Sequence, residues 1–181
     1  RGHEVEEPAG SPSFLTRRPG SLWYPGPARV DRQLMTERLY YTDSYLAEFD
    51  ATVAHVAPHG TRLVLRLDRT AYYPTSGGQP FDTGTLNSAR VIDVIDREDG
   101  EVAHVIEGSL TAGETVRGRI DWRRRFDHMQ QHSGQHVLSA AFDRLHKART
   151  VSFHLGSGAS TIDLDSDLSA ELIAMAETEA N

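Results

Sequence analysis

The sequence contains no cysteine. That absence removes disulfides, thiolate nucleophiles and cysteine ligands to a metal, and it leaves the redox compartment unread. Long hydrophobic runs are missing too. No stretch approaches the roughly 20 apolar residues needed to cross a bilayer, and no secretory h-region is present, so a cytoplasmic location with no membrane partner is the expectation. Positive charge is in short supply, with 19 Lys and Arg against 26 Asp and Glu for a net charge of −7. A general electrostatic grip on nucleic acid is therefore excluded. What remains is ordinary for a globular protein: 38% apolar and 25% charged residues over 181 positions, enough to bury a sizeable core.

The first 34 residues differ from the rest. They hold Pro8, Pro12, Pro19, Pro25 and Pro27, five of the eight prolines, and no sustained periodicity. Such a segment buries too little apolar area to offset its ordering entropy, so residues 1–34 are expected to be a disordered extension. Folded sequence begins at Met35-Thr36-Glu37-Arg38-Leu39-Tyr40, with Met35 the expected natural start.

From Leu46 the pattern has period two. Phe49, Ala51 and Val53 alternate with polar neighbours, as do Leu63, Leu65 and Leu67, with Pro58-His59-Gly60 expected as the turn between them. Val91–Ile95 and Val102–Ile106 flank Arg97-Glu98-Asp99-Gly100 and predict a hairpin, and Thr115–Ile120 predicts a further strand. Short strands joined by tight turns predict a small β-barrel within residues 35–120. The period then changes. Val137, Leu138, Ala141, Phe142 and Leu145 recur at helical spacing over about Arg123–His146 and are expected to face a core. Val151–Leu155 and Ser160–Leu164 predict paired strands around Gly156-Ser157-Gly158. Asp167 is expected to cap a last helix, Leu168 to about Thr178, with Leu172, Met175 and Ala176 inward. The fold class is therefore α+β: a small N-terminal barrel, then an incomplete two-layer α+β unit over residues 121–181.

Two features carry chemistry. His132 and His136 lie four residues apart on the predicted helix, which puts both imidazoles on one face, one turn apart. That spacing suits two adjacent vertices of a tetrahedral zinc site and equally suits two structural histidines. His128 extends the stripe, but each four-residue step rotates the position by about 40°, so it is the weaker ligand and fits an RNA-facing role. The second feature is Tyr73-Pro74-Thr75-Ser76-Gly77-Gly78-Gln79. Gly77 and Gly78 are turn residues that also allow a backbone to approach a ligand closely, and Gln79 offers a donor and an acceptor. Arg117, Arg119 and the run Arg123-Arg124-Arg125 form a candidate positive strip beside the histidines; the run also fits a solvated helix start.

Taken together, the glycine-rich loop and the later His-x-x-x-His, in this order, resemble the alanyl-tRNA editing proteins of the AlaX group and the editing region of alanyl-tRNA synthetase. The resemblance covers roughly Tyr40 to Leu164. It implies that His132 and His136 are zinc ligands and that Gly77, Gly78 and Gln79 approach the editing pocket. By looser alignment, Ser152 and Thr161 would contact substrate and His154 would join Gln79 in catalysis. The family completes its zinc site with a later Cys-x-x-x-His, which this chain, ending at Asn181, does not contain.

The implied activity is trans-editing: zinc-assisted hydrolysis of the ester on a mischarged alanine tRNA, carrying serine foremost and glycine second. Such editing has a physical rationale, because an apolar synthetic pocket rejects an added hydroxyl by only about a hundredfold. Two other readings stay open. One is a truncated or degenerate homologue that binds tRNA or protein without hydrolysis. The other is a zinc hydrolase for a different ester, with His154 as third ligand. Oligomeric state is not legible.

Overall fold

The alternating segments close into a barrel. The computed structural model describes residues 35–156 and 158–181, so the expectation for residues 1–34 lies outside the described residues. Its long strand β2 (Glu48–His59) pairs antiparallel with β3 (Arg62–Leu67) on one side and β8 (Thr115–Ile120) on the other. With β5 (Gly84–Leu86), β6 (Ala89–Asp96) and β7 (Val102–Glu107) the order is β2-β3-β7-β6-β5-β8, closed on itself. Closure leaves none of these six strands as a free edge. The short strands β1 (Glu37–Arg38) and β4 (Arg69–Thr70) pair in parallel beside it.

The alternation points inward on β2 and β3, where Phe49, Ala51, Val53, Leu65 and Leu67 are buried. On β6 a register shift between Val91 and Asp93 breaks it, so that Val91 and Val94, three apart, are both buried. The β6–β7 hairpin forms where expected, with Val91 opposite Ile106 and Ile95 opposite Ala103. One expected turn moves. Pro58 and His59 belong to β2, opposite Leu63 and Arg62, and the reversal falls on Gly60 and Thr61. Gly60 takes φ +62, so the one residue in this stretch that adopts that geometry without strain sets the turn.

Polar side chains are buried with this core as well, Thr70 and His104 completely. His104 on β7 is fully buried, with Nε2 2.8 Å from the Thr70 hydroxyl. That hydroxyl oxygen accepts from the Tyr72 N–H at 3.1 Å, and Nδ1 of His104 has no hydrogen-bond partner among the described residues. Burial drives the His104 pKa down to about 4, which keeps the imidazole neutral.

After the barrel, helix α1 (Trp122–His146) begins at Asp121, whose carboxylate accepts the Arg124 N–H at 3.2 Å. It packs on the hairpin β9 (Thr150–Leu155) and β10 (Ser160–Leu164) and on helix α2 (Ala170–Ala180). This core is small: Ala141, Phe142, Ala148 and Ala176, with Leu138, Ile162, Leu164 and Leu168 at its margin. Several inward expectations fail here. Val137, Leu145 and Met175 are exposed, because α2 and β9 cover only a narrow stripe of α1, centred on Ala141 and Phe142. The α2 cap is Ser169, two residues beyond the expected Asp167, and its hydroxyl accepts the Leu172 N–H.

Candidate functional site

The glycine-rich loop is a tight reversal. Ser76 and Gln79 exchange backbone hydrogen bonds at 3.1 and 2.9 Å, and between them Gly77 and Gly78 have φ +56 and +79. Positive φ at both central positions is the requirement of a type I′ turn, which glycine meets without strain. The second glycine has a further reason. A Cβ on Gly78 would stand 2.7 Å from the Phe153 carbonyl oxygen, and the Leu155 N–H donates to the Gly78 carbonyl at 3.2 Å. The close approach anticipated for a ligand is made here by strand β9.

That docking sets Gln79 against helix α1. Gln79 is buried, and its Oε1 lies 2.9 Å from Nδ1 of His132. An amide oxygen accepts, so His132 donates from Nδ1 and keeps its Nε2 lone pair. The His132 and His136 rings stack, with centroids 4.9 Å apart and planes at 25°. Phe153 stands 6.3 Å from the His132 ring. Burial first, and His136 second, hold the His132 imidazole below its ordinary pKa, favouring the neutral form. The structure thus brings together Gly77, Gly78 and Gln79 of the loop with His132 and His136 of α1, more than fifty residues away in sequence.

It does not bring in the other candidates. Ser152 and His154 are exposed on β9, flanking the inward-leaning Phe153. Ser152 donates to Asp163 across the hairpin, and Thr161 pairs with His154. On the helix side the hairpin contributes Ser160, whose hydroxyl donates to Gln131 Oε1 at 2.8 Å. His128 is half-buried with Nδ1 unpartnered among the described residues, and burial lowers its pKa.

His132 presents a free Nε2 lone pair, with its other nitrogen fixed by Gln79 in the way outer partners commonly fix metal-bound histidine. His136 stands beside it, so half of a tetrahedral site is present. Among the described residues no group of three or more His, Asp or Glu could hold a metal ion.

One brace escaped the sequence reading. Arg125, on the first turn of α1, is buried against Asp82, donating Nε to both carboxylate oxygens at 2.9 and 2.8 Å. It also donates to the Ser44 and Ala71 carbonyls at 3.0 and 2.5 Å, while Asp82 accepts the Tyr73 N–H at 2.7 Å. Helix and loop are thereby pinned together on both sides of Gly77-Gly78-Gln79. The expected positive strip is reduced accordingly: Arg117 and Arg119 pair with Glu48 and Asp50, and Arg125 is enclosed, leaving Arg123 and Arg124.

Comparison with known proteins identifies the family of the chain. Residues 29–124 match the family described as tRNA synthetases class II (A). Alanyl-tRNA editing protein Aarsd1 of Mus musculus is 41% identical over 153 residues, 77% of this chain and 37% of that protein. AlaX-L of Pyrococcus horikoshii is 36% identical over 154 residues, 81% of this chain and 38% of that protein. AlaX-M of Methanosarcina barkeri is 39% identical over 139 residues, 71% of this chain and 56% of that protein. The chain thus spans little more than a third to just over half the length of these relatives.

Proposed function

The chain belongs to the class II (A) tRNA synthetase family and, within it, to the alanyl-tRNA editing proteins, and from that premise we propose that it serves in trans-editing of mischarged alanine tRNA in the cytoplasm. The substrate is the ester of serine, and secondarily glycine, on the tRNA 3′ end, and the reaction is hydrolysis. One observation carries the reading: Gln79 of the glycine-rich loop meets His132 of the histidine pair at 2.9 Å. Two motifs more than fifty residues apart have a single location.

Each residue has a part. Gly78 lets the loop seat on β9, and the Arg125–Asp82 brace fixes the helix to the same loop. Gln79 orients the His132 ring, and its amide NH2 remains to meet a carbonyl or hydroxyl of the substrate. His132 and His136 supply two of the four ligands of a zinc ion in the complete protein. Zinc when bound supplies a water of pKa near 7 or a polarised carbonyl. Selectivity follows if the pocket hydrogen-bonds the serine hydroxyl, since an alanyl ester would leave those buried groups unpaired.

The test is single-turnover release of labelled amino acid by the full protein at fixed salt. Ser-tRNA for alanine should be deacylated while Ala-tRNA survives; equal sparing of both would reject the assignment. A second reading, a non-catalytic tRNA-binding homologue, is favoured by one observation: only two donors converge among the described residues. It predicts tRNA binding with no release.

A further inference from the structure

Three aromatic side chains stand in a row near the start of α1, where the fold has no use for them. Tyr45 and Trp122 have ring centroids 5.7 Å apart at 43°, and Trp122 stacks on Phe126 at 5.7 Å and 29°. Tyr45 is 64% exposed and Phe126 39%. Tyr45 and Phe126 thus keep much of their apolar ring surface in water. Trp122 and Phe126 line a cavity of about 700 Å³ that also includes Arg123, Arg124, His128 and Gln130.

Charge and position narrow the occupant. Most of the barrel arginines are neutralised by carboxylates, whereas Arg123 and Arg124 make no ion pair among the described residues. Arg124 is held beside the cavity by the Phe81 carbonyl at 3.1 Å and the Phe81 ring at 5.4 Å. A protein of net charge −7 repels a polyanion over most of its surface, so contact with RNA must concentrate where cations and flat rings coincide. The cavity reaches Pro80, next to Gln79. Ten helical residues separate Trp122 from His132, about 15 Å at 1.5 Å per residue, the reach of a few nucleotides.

We propose that Tyr45, Trp122 and Phe126, with Arg123 and Arg124, seat the unpaired nucleotides that precede the 3′-terminal residue of an RNA whose end lies at His132. The rings stack on bases irrespective of sequence, and the guanidinium groups meet the phosphates between them. This inference rests on the editing reading for its direction, from the aromatic row toward the histidines.

The test uses the chain's two tryptophans, Trp23 and Trp122. In a Trp23→Phe background, titration with an uncharged tetraribonucleotide ending in CCA should quench Trp122 saturably. By anisotropy of the labelled oligonucleotide, Trp122→Ala should weaken binding about tenfold, within the range for loss of one stacked base. Trp122→Phe should retain most of the affinity, which separates stacking from a folding defect. Arg123→Gln should lower the salt slope by about one. Binding without quenching and with unchanged affinity in Trp122→Ala would overturn the proposal. So would absence of binding, or AMP binding as tightly as the tetranucleotide. Deacylation measured in parallel separates the two claims. If Trp122→Ala keeps both kcat and KM on Ser-tRNA, the seat fails and editing stands. If Trp122-dependent binding persists with no deacylation, editing fails and the seat stands.

Discussion

Replacing Arg125 by Met should remove much of the protein's stability margin. The guanidinium sits 2% exposed against a carboxylate that is 0% exposed, and it satisfies the Ser44 and Ala71 carbonyls as well. Deleting it strands a buried negative charge, at a cost of about 3–5 kcal/mol. The two orphaned carbonyls add roughly 1 kcal/mol or more apiece. Against a total stability of about 5–15 kcal/mol, this is the difference between a robust fold and a marginal one. The melting temperature should fall by on the order of 10 °C. Urea unfolding followed by circular dichroism gives the free energy directly. Arg125→Lys should recover only part of the loss, because one ammonium cannot reach Asp82 and both carbonyls in the same fork geometry. The decisive measurement is the double variant with Asp82→Ala. Removing both charges should cost about 1–3 kcal/mol less than the sum of the single changes. A loss below about 1 kcal/mol for Arg125→Met, or strict additivity in the double variant, would refute the reasoning.

Three further outcomes follow from the same structure. His104 has its pKa depressed to about 4 by burial. Its stability contribution is complete above the unfolded value near 6.5 and is lost as pH falls toward 4, by about 3 kcal/mol at 1.36 kcal/mol per unit; His104→Gln should flatten that slope in urea titrations at pH 7 and pH 4.5. Gly78→Ala places a Cβ against the Phe153 carbonyl at positive φ; it should destabilise the fold by roughly 1–2 kcal/mol and slow deacylation by displacing Gln79, and a variant with wild-type rate and stability would show that the loop does not need this seat. With only two donors converging, this chain should retain well under one equivalent of zinc after dialysis against a chelator; stoichiometric metal by mass spectrometry would reveal further ligands.

The legible parts of the fold were those with local signals. Alternation at Phe49, Ala51 and Val53, the hairpin about Arg97–Gly100 and the helical run to His146 each imply their own geometry. Barrel closure was legible as a class from strand number and spacing, but the order of strands depends on pairings between distant segments. Errors collected in the second layer, where Val137, Leu145 and Met175 match the apolar period yet lie exposed. Periodicity names a face and does not say how much of it a neighbour covers. In the site, His132 and His136 were readable from one turn of helix. Their partnership with Gln79 follows from a loop docking on β9, which no spacing encodes. Asp82 and Arg125 were invisible for a related reason: each reads as an ordinary surface charge until the other is placed beside it.

The most direct test of the central claim, that the glycine-rich loop and the histidine pair form one hydrolytic site, is the order of single-turnover rates on Ser-tRNA. His132→Ala and His136→Ala in the full protein should each abolish release of serine. Gln79→Ala should slow it less, because it removes one hydrogen-bonding group and leaves both imidazoles in place. A double histidine variant that keeps the wild-type rate would contradict the account.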